Sequence, residues 1–149
     1  MYKYLLGSVL RSKFNAFEGI ATARLTTLHS CDRYFLTPPM IDGKPQDGYY
    51  LDEVELDLVK ESEIPDVIPV YKFNLGDLAE SDITGQTGVI THASQNVNGC
   101  IRYIIQPKVD KNNKMIESTW VTEGELSIIK PTRPQSGKSA TGGPPSKKC

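Results

Sequence analysis

Apolar residues in this chain of 149 come in short runs broken by glycine, proline, asparagine and aspartate. Leu6 to Leu10 predicts a first strand, and Asn15-Ala16-Phe17-Glu18-Gly19 a turn. Ile20 to Leu28, rich in β-branched residues and threonine, predicts a second strand. Asp32 to Thr37 predicts a third, which Pro38-Pro39 must end because proline cannot donate to a ladder. Tyr49 to Leu51 is a short strand, Asp52-Glu53-Val54-Glu55 a single helical turn, and Leu56-Asp57-Leu58-Val59 alternates as a last strand. Further on, alternation from Cys100 to Gln106 puts Ile101, Tyr103 and Ile105 on one face. Cys100, Arg102, Ile104 and Gln106 fall on the other. Both faces carry apolar residues, so a strand between a core and a second contact surface is expected.

The pattern is stated twice. Gly7, Gly19, Thr22, Cys31, Arg33, Tyr34 and Pro38 match Gly76, Gly88, Thr91, Cys100, Arg102, Tyr103 and Pro107 at a spacing of 69 residues. One extra residue in the second copy then moves the spacing to 70, and Lys44, Tyr50, Glu53, Glu55, Leu56 and Val59 match Lys114, Trp120, Glu123, Glu125, Leu126 and Ile129. An ordered ladder with one gap marks an internal duplication. Five short strands, glycine turns and one helical turn per copy predict an all-β protein of two tandem, strongly bent, five-stranded barrels of the Src-homology-3 type. Residues 4–59 form the first repeat, 60–72 a linker containing Pro65 and Pro69, and 73–129 the second repeat. Residues 130–149, rich in Gly, Ser, Pro and Lys, predict a disordered tail. A module of this size buries only ~60% of its unfolded surface, so the copies are expected to pack on each other or the chain to form a homo-oligomer.

Composition narrows the chemistry. A net charge of −1 gives a nucleic-acid partner little electrostatic support. No apolar run approaches the ~20 residues that span a bilayer. Leu5 to Leu10 is too short for a signal peptide and aligns with Leu75-Gly76-Asp77 inside the chain, so it is read as a strand. Cys31 and Cys100 are repeat equivalents and not a CxxC pair; with Cys149 they suit a reducing cytosol, as free thiols of which the first two are buried.

The matched Arg33 and Arg102 are the main polar candidates, because a guanidinium forks onto phosphate or carboxylate. The competing reading pairs them with Glu53 or Glu123. Tyr50 and Trp120 are candidate stacking surfaces for a base, or else close the two cores. These four are the candidate ligand-binding residues. No catalytic residue, metal site or cofactor is assigned. His29 lacks a counterpart in the second copy, where Asn98 stands, and His92 has no partner that spacing identifies. Gly137-Lys138-Ser139 ends like a phosphate-binding loop, but Thr132 stands where its first glycine is required.

The second copy reads Leu75-Gly76-Asp77, Thr84-Gly85-x-x-Gly88, Asn98-Gly99-Cys100-x-x-Tyr103, Gln106-Pro107 and Trp120-x-x-Glu123-x-x-Leu126. It resembles a module of small accessory proteins of tailed bacteriophages. The first copy departs from it where Ala16 replaces Gly85 and Ser30 replaces Gly99. The resemblance implies a phage origin and a host-cytoplasmic setting. Compact β proteins of phages include sponges that sequester nucleotide signals of host defence. A non-enzymatic protein that binds and neutralises a host component, either a small anionic nucleotide or a host protein, is therefore the expected function. A nucleic-acid or ribonucleoprotein contact module and a phage structural or assembly protein are the alternatives.

Overall fold

The computed structural model describes residues 2–65 and 69–131. Part of the expected linker, nearly all of the tail and Cys149 therefore lie outside the described residues. The protein is all-β. Its strands are β1 (Val9–Ser12), β2 (Glu18–Thr27), β3 (Arg33–Thr37), β4 (Tyr49–Asp52) and β5 (Leu56–Lys60), then β6 (Leu78–Ser81), β7 (Thr87–Asn96), β8 (Ile101–Gln106), β9 (Thr119–Thr122) and β10 (Leu126–Lys130). A 3-10 turn precedes the last strand of each half, at Glu53–Glu55 and Glu123–Glu125. Within each half the pairing order is the same: β5-β1-β2-β3-β4 and β10-β6-β7-β8-β9, all antiparallel.

The duplication is legible down to single hydrogen bonds. Gly7 N–H donates to the Ala21 carbonyl at 2.8 Å, as Gly76 N–H does to Ile90 at 2.8 Å. Lys13 N–H donates to Glu55 and Asp82 N–H to Glu125, both at 2.7 Å. The first strand starts at Val9 and not at Leu6, because Gly7, at φ +92°, first turns the chain. Gly19 and Gly88 match for a steric reason. A Cβ on Gly19 would meet the Thr37 carbonyl at 2.9 Å, and one on Gly88 would meet that of Gln106 at 2.7 Å. Only glycine lets the bent second strand cross the third so closely.

Two cores result. The first gathers Leu6, Leu10, Ala21, Tyr34, Leu36 and Leu56. The second gathers their repeat equivalents Leu75, Ala79, Ile90, Tyr103, Ile105 and Leu126, with Tyr71, Phe73, Ala93 and Val121. Tyr103 and Ile105 are buried and Arg102 is exposed, as alternation along β8 predicts. Where two tandem barrels are expected, all ten strands belong to one antiparallel sheet. The junction is β2 against β7, where Ala23 to Thr27 pair with Asn96 to His92. Leu25 faces Ser94, its own repeat equivalent, so a pseudo-twofold axis passes through that pair. Two equivalent bonds extend the junction on either side: Leu28 N–H to Thr91 O at 3.1 Å, and Val97 N–H to Thr22 O at 2.8 Å.

Candidate functional site

The β2–β7 junction makes β4-β3-β2-β7-β8-β9 one continuous stretch of sheet, and its face away from the cores carries all four candidate residues. The register aligns Asp52, Arg33, Leu25, Ser94, Arg102 and Thr122 in a single row across six strands. Four strands separate the outer two arginines inclusively, which puts their backbones ~14 Å apart at ordinary strand spacing. A flanking row runs Tyr50, Phe35, Ala23, Asn96, and its pseudo-twofold mate runs Trp120, Ile104, His92, Thr27. Tyr50 and Trp120 are half-buried on this face and belong to neither core.

The two arginines differ in what stands opposite them. Arg33 Nε donates to Asp52 Oδ1 at 2.8 Å, in an ion pair about half open to solvent. An acid does pair with the first arginine, then: Asp52, across the ladder from it. In the second half Thr122 takes the place of Asp52, opposite Arg102. The Arg102 guanidinium lies over the Trp120 ring, 5.2 Å from its centroid, and makes no ion pair among the described residues. Glu123 is not its partner: its Oε2 accepts from the Tyr103 hydroxyl and, at 3.1 Å, from Lys72 N–H.

Tyr50 crosses between the halves. Its ring meets Phe35 edge-on, 4.9 Å between centroids, and its hydroxyl lies beside Ser94. Burial raises the Tyr50 hydroxyl above its ordinary value; the Ser94 hydroxyl and the charge of Arg102 pull the other way. Tyr50 and Arg102, on different repeats, therefore share one neighbourhood, and Arg102 and Trp120 share another. Arg33 stands apart from both, held by Asp52.

Next to Tyr50 is a cleft of about 330 Å³, lined by Thr22, Ala23, Phe35, Tyr50, Asn96, Val97 and Asn98. Local order fixes its walls. The Thr22 hydroxyl is 2.8 Å from that of Thr37, and Asn98 Oδ1 accepts Cys100 N–H at 3.0 Å to cap the turn. In the sequence these asparagines signal only turn chemistry. The feature that points to them is the mismatch between Asn96-Val97-Asn98 and Thr27-Leu28-His29 within an otherwise matching ladder.

The cysteine expectation is corrected. Cys100, directly after the Asn98-Gly99 turn, is a free and exposed thiol. Cys31 is half-buried and disulfide-bonded, so it is not a free thiol. Both follow a turn and precede the first core-facing residue of their strand, which takes them out of the packed interior. The His92 ring is engaged by the neighbouring Thr91 hydroxyl, 2.8 Å from Nδ1. No helix among the described residues is long and apolar enough to cross a membrane. Comparison with protein-family models, curated proteins and solved structures finds no match to this chain.

Proposed function

We propose that this chain is a non-enzymatic binding protein built from two small barrels of the Src-homology-3 type, and that its ligand is a small anion bearing a planar ring, most simply a nucleotide. The barrel reading rests on the 5-1-2-3-4 strand order of each half, the long second strand that serves two neighbours, and the 3-10 turn before the last strand. One observation carries the ligand reading: Asp52 answers Arg33, whereas Thr122 leaves the charge of Arg102 open beside two rings. A guanidinium fork suits phosphate, and flanking aromatics suit a ring. Arg102, Trp120 and Tyr50 are groups that hold a ligand, which accords with sequestration. The setting implied by the phage-module resemblance, capture of a nucleotide signal of host defence in the host cytoplasm, is proposed with it.

Calorimetric titration against a panel of cyclic and linear nucleotides tests this. A charge-assisted contact is worth about 1.5–3 kcal/mol, tenfold or more in affinity. Arg102→Ala should lose at least that much, and so should Thr122→Asp, which places opposite Arg102 the acid that Arg33 already has. Arg33→Ala should leave affinity within a factor of about two. Melting temperatures of all three should stay near wild type, because exposed ion pairs contribute little. If no nucleotide binds the wild-type protein at micromolar concentration, or if Arg102→Ala lowers the melting temperature without a binding defect, the reading fails.

A further inference from the structure

The cleft between Tyr50 and the Asn96–Asn98 turn has features that an anion site alone does not require. Its lining holds no charged residue: two rings, two carboxamides, a threonine, an alanine and a valine. One wall comes from β2, β3 and β4 of the first half, the other from the β7–β8 turn of the second. The walls are tied together by the backbone bond from Val97 N–H to Thr22 O at 2.8 Å. Asn98 uses Oδ1 to cap its own turn, which leaves Nδ2 as a donor. Tyr50 lines the cleft with its hydroxyl beside Ser94, and Ser94 is the cross-strand neighbour of Arg102. A neutral slot bounded by aromatic rings and carboxamides, with the Arg102 cation beyond Tyr50, has the polarity of a base joined to a phosphate.

We infer that this cleft seats one neutral heteroaromatic ring, a nucleobase, while the phosphate attached to it reaches Arg102. The inference rests on the proposed ligand reading and makes it specific: one mononucleotide per chain, held across the two halves. The volume of about 330 Å³ lies at the small end for ligand pockets, enough for one base. The pseudo-twofold does not supply a second such seat. At the positions equivalent to Asn96, Val97 and Asn98 stand Thr27, Leu28 and His29, and Leu28 packs against the second core. Opposite them His92 takes the place of Ala23, and Trp120 the place of Tyr50.

The test titrates the full chain with adenosine, guanosine, cytidine and uridine 5′-monophosphates, with ribose 5-phosphate, and with a ten-nucleotide single-stranded DNA. The expected result is one site per chain, with at least one mononucleotide binding tenfold or more tighter than ribose 5-phosphate. Asn98→Ala and Val97→Trp, the second of which fills the cleft from an exposed position, should each remove most of that advantage and leave ribose 5-phosphate binding unchanged. Circular dichroism and melting curves confirm that both variants fold. Equal binding of ribose 5-phosphate and mononucleotides, two sites per chain, unchanged affinity in both variants, or preference for the oligonucleotide over every mononucleotide would overturn the inference. In each of those outcomes, weaker binding by Arg102→Ala would leave a phosphate site at Arg102 standing without the base seat. Failure of every phosphate to bind sinks both.

Discussion

The two halves share a plan, yet they fill it differently. In the first core Leu10 and Ala21 are both fully buried; in the second the same two positions hold Ala79 and Ile90, also fully buried. Large and small have changed places, so what the repeat preserves is the volume of the layer and not the residue at each point. At Arg24 the halves diverge more sharply, for its equivalent is Ala93. Arg24 is completely buried, donates from Nη1 to Gln95 Oε1 at 2.9 Å and from Nη2 to the Tyr4 carbonyl at 2.8 Å, and stacks 3.8 Å from the Tyr2 ring centroid. Gln95 belongs to the other half. One cation, present in one copy, therefore braces the junction from inside, and Ala93 across the axis leaves room for it.

The sharpest way to break that asymmetry is Arg24→Ala. It leaves Gln95 and the Tyr4 carbonyl without their buried donor and a void among rings, and should destabilise the chain by roughly 3–5 kcal/mol. Because the lost contacts span the junction, the wild-type protein should unfold in urea as a single transition and the variant should let the halves unfold separately; a variant that still unfolds in one transition would show that Arg24 does not couple them. Next comes Leu10→Ala, expected to cost about 3 kcal/mol through the cavity it opens. Adding Ala21→Ile converts the pair to the arrangement of Ala79 and Ile90 and should restore most of the loss. A double-mutant cycle with no favourable coupling would mean that the exchange of sizes is coincidental.

Alkali separates the halves by a different route. Burial raises the hydroxyl groups of Tyr34, Tyr71 and Tyr103, those of the last two far more strongly than that of Tyr34, with Tyr2 adding to the effect at Tyr71 and Glu123 at Tyr103. Below the ordinary tyrosine value near 10 both folded and unfolded chains are protonated and stability is complete. Above it the unfolded chain loses its protons first, so stability falls as pH rises. At half a unit above that value, each strongly shifted tyrosine should withdraw roughly 1 kcal/mol. Tyr71→Phe and Tyr103→Phe should flatten this decline more than Tyr34→Phe does, as read from melting temperature between pH 9 and 11.

The smallest contrast is at the first turn. Gly85 sits at φ 75° with nothing within 4 Å of where a Cβ would stand, and Ala16 holds the same left-handed position at φ 63°. Gly85→Ala should destabilise by about 1 kcal/mol and Ala16→Gly should stabilise by up to about 0.5, the gain being offset by unfolded-state entropy. Opposite signs in chemical denaturation are the outcome to check.

The strand order within each half was open to reading because turns, alternation and repetition agree at every step: Asn98-Gly99 places a hairpin, Tyr103 and Ile105 face in, and Glu123 marks the 3-10 turn. The β2–β7 junction was not, since no local preference specifies which two distant strands will pair. That junction brings Tyr50 to Ser94 and puts Arg33 and Arg102 in one row, so half of the candidate site was hidden with it. The burial of Arg24 was hidden for the same reason, as a lone arginine in a threonine-rich strand reads as a solvent-facing residue until Gln95 arrives from elsewhere. Asp52 and Thr122 were visible all along; a search for matches passes over such a difference.

The pseudo-twofold through Leu25 and Ser94 also says something about descent. An ancestor with a single copy would have met its twin across that axis, strand on strand, as a symmetric homodimer. In such a pair every substitution near the axis appears twice, and a buried arginine at position 24 would face a second one across the seam. Joining the copies on one chain lifts that constraint: one copy can keep the cation while the other becomes alanine. A fused pair can thus carry one lopsided feature, such as the buried Arg24 matched by Ala93, where symmetry would impose two.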